Sequence, residues 1–144
     1  MPKQVILDAN AVLHFVQAFD ISKFNIVAQT LNNNQCYVPI EVIAEAVYIL
    51  DGTYHNSRQI IAAKLKDFVS IQDSLVSEPN VVIFGLNIYA STNLDFVDCL
   101  LAGYAKVKGF PVLTFDIGLK KELAENAYIP VMASASDTKF PQPE

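Results

Sequence analysis

The chain has 144 residues, more than half of them hydrophobic, which fits one domain with a full core. A net charge of −5 argues against a broadly basic surface that would draw in nucleic acid or anionic lipid at long range, although a local basic strip remains compatible with it. No apolar run reaches membrane-spanning length, and Met1-Pro2-Lys3-Gln4 leads into a strand without a signal-peptide pattern, so the sequence reads as cytoplasmic with no membrane partner.

Gln4 to Leu7 is a short apolar strand, and Asp8-Ala9-Asn10 follows at its carboxyl end, ahead of a helical pattern built on Val12, Leu13, Val16 and Phe19. Asp8 or Asn10 can cap that helix. Ser22 opens a second helix, ended by Asn32-Asn33-Asn34, and Cys36-Tyr37-Val38 is a brief buried strand. Cys36 and Cys99 both lie in apolar segments without metal-type spacing and read as buried free thiols. Pro39 suits a helix N-terminus, and Ile40 to Leu50 carries Val42, Ile43, Ala46, Val47, Ile49 and Leu50 inward until Asp51-Gly52 stops it. Glu41, Glu45 and Tyr48 share one strip of this helix, either a solvated face or part of a site, and the small Ala44 and Ala46 let a ligand approach Glu45 closely.

Asn56 or Ser57 caps a long amphipathic helix from Arg58 to about Val69. Ser74 to Ser77 reads as a short strand, and Glu78-Pro79 starts a helix striped with Val82, Leu86, Tyr89 and Ala90, with a strand over Val81 to Phe84 as the alternative. Asp95 sits in the first turn of the next helix, where a carboxylate caps free N–H groups and complements the dipole. Asp98 follows one turn later in a run, Phe96 to Ala105, that is apolar on nearly every face. An ionised carboxylate is costly there unless a cation or hydrogen-bond donors meet it. Pro111 to Phe115 is the clearest buried strand of the second half, with Asp116 directly behind it and a short helix carrying Lys120 and Lys121. Tyr128 to Met132 reads as a last strand, and Ser134 to Glu144 (134–144) reads as a loose tail behind a single domain over 1–133.

Strands alternating with helices predict an α/β fold with a mainly parallel sheet covered on both faces. Ligands of such sheets bind at the carboxyl ends of strands, where Asp8 and Asp116 stand and where the helix of Asp98 enters. Carboxylates gathered at one edge cannot all ionise without a cation. Mg²⁺ or Mn²⁺ is the natural guest, because these hard ions take oxygen ligands and bind beside phosphate. His14 and His55 lack partners at zinc-like spacing.

Asp8-Ala9-Asn10, Glu45 within Val42 to Leu50, Asp95-Phe96-Val97-Asp98 and Thr114-Phe115-Asp116 resemble, in order and spacing, the successive acidic motifs of PIN domain nucleases. The resemblance is closest to the VapC-type toxins of toxin–antitoxin pairs and covers Val5 to about Val131. It implies a three-layer α/β/α PIN-like domain with a mainly parallel five-stranded sheet, and a Mg²⁺- or Mn²⁺-dependent endoribonuclease that hydrolyses RNA phosphodiester bonds by metal-activated water. The catalytic, metal-binding acids carry over onto Asp8, Glu45, Asp98 and Asp116, while Asn10, Asp95 and Thr114 match supporting polar positions. Ala9 stands where Thr is frequent in the family and removes a hydroxyl. The resemblance also implies a homodimer and, for a toxin, a small antitoxin protein as partner. Arg58, Lys120 and Lys121 are candidate phosphate contacts, the two lysines because they fall within two turns of Asp116. Three rivals stand beside this reading. A haloacid dehalogenase-like phosphatase would carry a second acid where Asn10 stands; a catalytically inactive PIN-fold interaction module would keep the scaffold alone; a third would cut DNA or structured RNA ends.

Overall fold

Short polar side chains set where the helices of this protein begin. The computed structural model describes residues 3–71 and 75–125, and orders them as β1 (Gln4–Ile6), α1 (Ala9–Gln17), α2 (Ile21–Asn33), β2 (Gln35–Tyr37), α3 (Ile40–Gly52), α4 (Arg58–Ile71), α5 (Pro79–Ser91), α6 (Phe96–Lys108) and α7 (Ile117–Glu125). Asp8 caps α1 by accepting from the Ala11 N–H at 2.9 Å, and Asp20, rather than Ser22, caps α2 by accepting from the Lys23 N–H at 3.1 Å. Ser57 takes the same role for α4, accepting from the Ile60 N–H at 3.2 Å. Gly109 ends α6 in the left-handed conformation, φ +71°, where a Cβ would be strained.

β1 and β2 pair in parallel, Gln4 opposite Gln35 and Ile6 opposite Tyr37. Beyond them Val38 turns to the opposite flank, where its N–H donates to Leu75 O at 2.8 Å and its carbonyl accepts from the Ser77 N–H at 3.1 Å. The strand expected at Ser74 to Ser77 is thus present as a single parallel bridge between Val38 and Val76, with Ser74 outside the described residues. Val81 to Phe84 is helical, inside α5.

Pro111 to Phe115 departs from expectation. It runs as irregular chain without strand pairing among the described residues, with Val112 buried but Leu113 and Phe115 more than half exposed. β-branched and aromatic residues favour a strand only when a neighbour offers a ladder, and Pro111 has no N–H to give one. The described residues therefore hold two strands and a bridge rather than five strands. Tyr128 to Met132 and the tail Ser134 to Glu144 lie outside the described residues. Among the described residues no helix is long and apolar enough to cross a membrane.

The core is densest where α5 meets α6. A Cβ on Gly103 would lie 2.7 Å from the Val81 carbonyl oxygen, and one on Gly85 would lie 3.2 Å from Leu100 Cδ2. These glycines let the two backbones approach, and Tyr89 meets Phe96 edge-on at 5.6 Å. Both cysteines are free and buried. Burial pushes the Cys99 thiol up to about 12, and its Sγ donates to Leu94 O at 3.7 Å.

Candidate active site

The start of α6 is the best-defined part of the site. Asp95 is its N-cap, accepting from the Val97 N–H at 3.3 Å, and the Tyr48 hydroxyl of α3 reaches both oxygens of that carboxylate, at 2.9 and 3.0 Å. The Asp95 carboxylate is thereby tied to two elements. Burial and this hydrogen bond raise the pKa of Tyr48, which keeps it a donor. One turn on, Asp98 is half-buried, and its pKa is raised first by that burial and then by the charges of Asp116 and Asp95. An acid opposed by two others is the electrostatic situation that a cation relieves.

Asp116 arrives from the other side. Its N–H donates to Thr114 Oγ1 at 3.0 Å, and its Oδ2 accepts from the Leu119 N–H at 2.8 Å, capping α7. Gly118 allows the first turn of α7 to lie against the loop before α6, since a Cβ there would sit 2.9 Å from Leu94 Cδ2 and 3.4 Å from Asp116 Oδ2. Asp95, Asp98, Asp116, Gly118 and Lys121 line one pocket of about 620 Å³.

Glu45, exposed on α3, lines a neighbouring groove of about 600 Å³ with Glu41, Tyr48 and Val97. Tyr48 joins the two cavities: it lines the groove, and its hydroxyl bonds Asp95, which lines the pocket. Asp8 and Asn10 are exposed at the end of β1 and the start of α1 and line neither cavity. The structure brings Asp95, Asp98 and Asp116 into one pocket, sets Glu45 in the neighbouring groove, and has Asp8 exposed at the end of β1. Among the described residues no three His, Cys, Asp or Glu side chains stand where they would share one ion. The donor chemistry nonetheless suits a hard cation: Asp8 gives one carboxylate oxygen and Asp116 one to their caps, and each keeps a second oxygen for a ligand.

The candidate phosphate contacts separate. Lys121 lines the acidic pocket, 3.9 Å from Glu125. Lys120 is half-buried on α7, its N–H donating to Asp116 O at 3.0 Å. Arg58 is corrected. Its Nε donates to Tyr89 O at 2.8 Å, Nη2 donates to Leu94 O, and the guanidinium carbon lies 3.7 Å from the Tyr89 ring centroid, so the side chain braces the backbone behind the pocket, whose lining includes Leu94. In the sequence Tyr48 stands only as part of a polar strip with Glu41 and Glu45. The signal for Tyr48 was its place one turn after Glu45; nothing in the sequence singled out Gly118.

A carboxylate-lined pocket in an α/β chain, with acids drawn from separate elements, is the arrangement hydrolases use to act on phosphate esters through divalent cations. The chain belongs to the PIN domain family, whose profile matches residues 5–122, and PIN domains are typically metal-dependent nucleases. No curated protein and no solved structure matches the chain.

Proposed function

We propose that this chain is an endoribonuclease that hydrolyses RNA phosphodiester bonds with Mg²⁺ or Mn²⁺. The observation that carries the reading is Asp98, half-buried and opposed by Asp116 and Asp95 in one pocket, an arrangement of mutual repulsion that suits a cation. Asp98 and Asp116 would hold the ion, with Glu45 from α3 and Asp8 from the end of β1 completing the family's acid set. A bound divalent ion lowers the pKa of a coordinated water and offsets charge on the phosphoryl oxygens. Asp95 keeps the first turn of α6 in place through Val97 and Tyr48, Thr114 steadies the backbone of Asp116, and Lys121 offers an ammonium to a phosphate at the pocket wall.

The preference for RNA over DNA and the role of toxin in a toxin–antitoxin pair rest on the likeness to VapC-type proteins. A homodimer and a small antitoxin partner belong to the same reading, as does the finer architecture of a five-stranded sheet in a domain over 1–133. Leu113 and Phe115, still uncovered, are apolar surface that further packing could use.

Incubation with tRNA, single-stranded DNA and p-nitrophenyl phosphate in Mg²⁺, Mn²⁺ or EDTA tests the proposal. The expected result is metal-dependent cleavage of RNA leaving 5′-phosphate ends, abolished by EDTA. Turnover of p-nitrophenyl phosphate instead assigns a phosphatase, cleavage of the DNA alone assigns a different nuclease, and no turnover of any substrate leaves an interaction module.

A further inference from the structure

We infer that Arg58 is a positioning residue, a strut from α4 that fixes the start of α6 and so sets where Asp95 and Asp98 stand. This rests on the nuclease reading for its consequence and on geometry for its existence. The last carbonyls of a helix lack intrahelical donors, and α5 ends at Ser91, so the carbonyls of its final turn need partners from elsewhere. The first turn of α4 supplies them: Arg58 Nε donates to Tyr89 O, and Gln59 Nε2 donates to Ala90 O at 2.9 Å. Arg58 then does something Gln59 does not. Its Nη2 crosses the turn and donates to Leu94 O, the carbonyl immediately before the Asp95 cap.

A planar guanidinium presents donors in a fixed fork, so one side chain sets the separation between the end of α5 and the start of α6. Stacking over the Tyr89 ring holds the plane of that fork. Within the turn itself, Thr92 Oγ1 donates to Ile88 O at 2.8 Å and accepts from the Leu94 N–H at 3.2 Å, which stiffens the same four residues. On the opposite side of the Asp95 cap stands Tyr48. The first turn of α6 is therefore clamped between α4 and α3, and Arg58 does not line the acidic pocket. Small displacements of catalytic groups are costly, so a strut of this kind governs turnover without touching substrate.

The full chain is compared with Arg58→Ala and the milder Arg58→Lys. Expected for Arg58→Ala is a fall in kcat of about tenfold or more with KM within about twofold. Amide hydrogen exchange should accelerate at Val97 and Cys99 more than in the middle of α4, and millimolar guanidinium ion should restore part of the rate. Arg58→Lys, which has no fork, should restore neither. A rise in KM with kcat unchanged would make Arg58 a phosphate contact and overturn the inference, as would unchanged exchange at Val97 and Cys99. If the unmodified chain cleaves no RNA, the nuclease reading fails by itself, and the exchange measurement still decides whether the strut exists.

Discussion

The pocket's acids come from two regions built in opposite ways. Asp95 and Asp98 stand on α6, which is pressed against α5 through Gly85 and Gly103 and clamped at its start by Arg58 and Tyr48. Asp116 ends a stretch in which Phe110, Leu113 and Phe115 are all more than half exposed and Val112 alone is buried among the apolar residues of 110–115. The bonds that Asp116 itself makes are local, its N–H to a threonine hydroxyl two residues back and its carboxylate to the Leu119 N–H, while Leu119 and Leu123 bury α7 in the core behind it. One wall is thus packed along the whole helix that carries its acids, whereas the other joins an irregular, largely exposed lead-in to a helix that is packed only behind its acid. Asp98 and Asp116 would hold an ion between these two walls, where it would supply positive charge to offset the carboxylates' repulsion.

The largest expected effect comes from removing the charge on the rigid wall. Asp98→Asn should lower RNA cleavage at least a hundredfold, about 3 kcal/mol in transition-state terms, while stabilising the metal-free fold at neutral pH. The sign follows from linkage. The folded-state pKa of Asp98 is raised, so its contribution to stability is whole below the usual aspartate value of 3.8 and is lost as pH rises through the folded value. The advantage of the asparagine variant, read from melting temperatures in EDTA, should therefore shrink as pH falls below that value. An advantage that grew with acid would reverse the argument.

Next in size is Gly103→Ala. With the new Cβ 2.7 Å from a backbone oxygen, α5 and α6 must part, which should cost about 1–3 kcal/mol in urea denaturation. Each kcal/mol corresponds to roughly 2–4 °C in melting temperature for a chain of this size. The smallest effect belongs to the exposed wall: Phe115→Ser should change stability by less than about 0.5 kcal/mol. A loss above about 2 kcal/mol would show that this face is covered in solution, and the comparison between the two walls would have to be redrawn.

How far the sequence could be read follows the same division. Caps are local chemistry, and Asp8, Asp95 and Asp116 were legible as helix starts because a short carboxylate ahead of an apolar pattern needs no distant information. Val81 to Phe84 was ambiguous, since a short apolar run serves either a strand or a buried helix, and the close approach to Gly103 accompanies the helix. Pro111 to Phe115 misled because strand propensity measures fitness for a pleated neighbour that the described residues do not provide. Arg58 was legible as a charge and not as a brace. It lies on the wet side of an amphipathic helix, and the carbonyls it serves exist as unpaired acceptors only because another helix ends beside it. The meeting of Asp98 with Asp116 was anticipated; that Glu45 would face a separate groove, joined through the Tyr48 hydroxyl, was not.

Cys99 gives the rigid wall a built-in clock. Its sulfur follows Asp98 directly, is fully buried, and is held as the thiol by a pKa of about 12. Alkylating reagents attack thiolates, so labelling at this position proceeds only when α6 lifts from α5 or unwinds. The rate of its modification in the intact chain thus times the opening of the very turn that presents the acids.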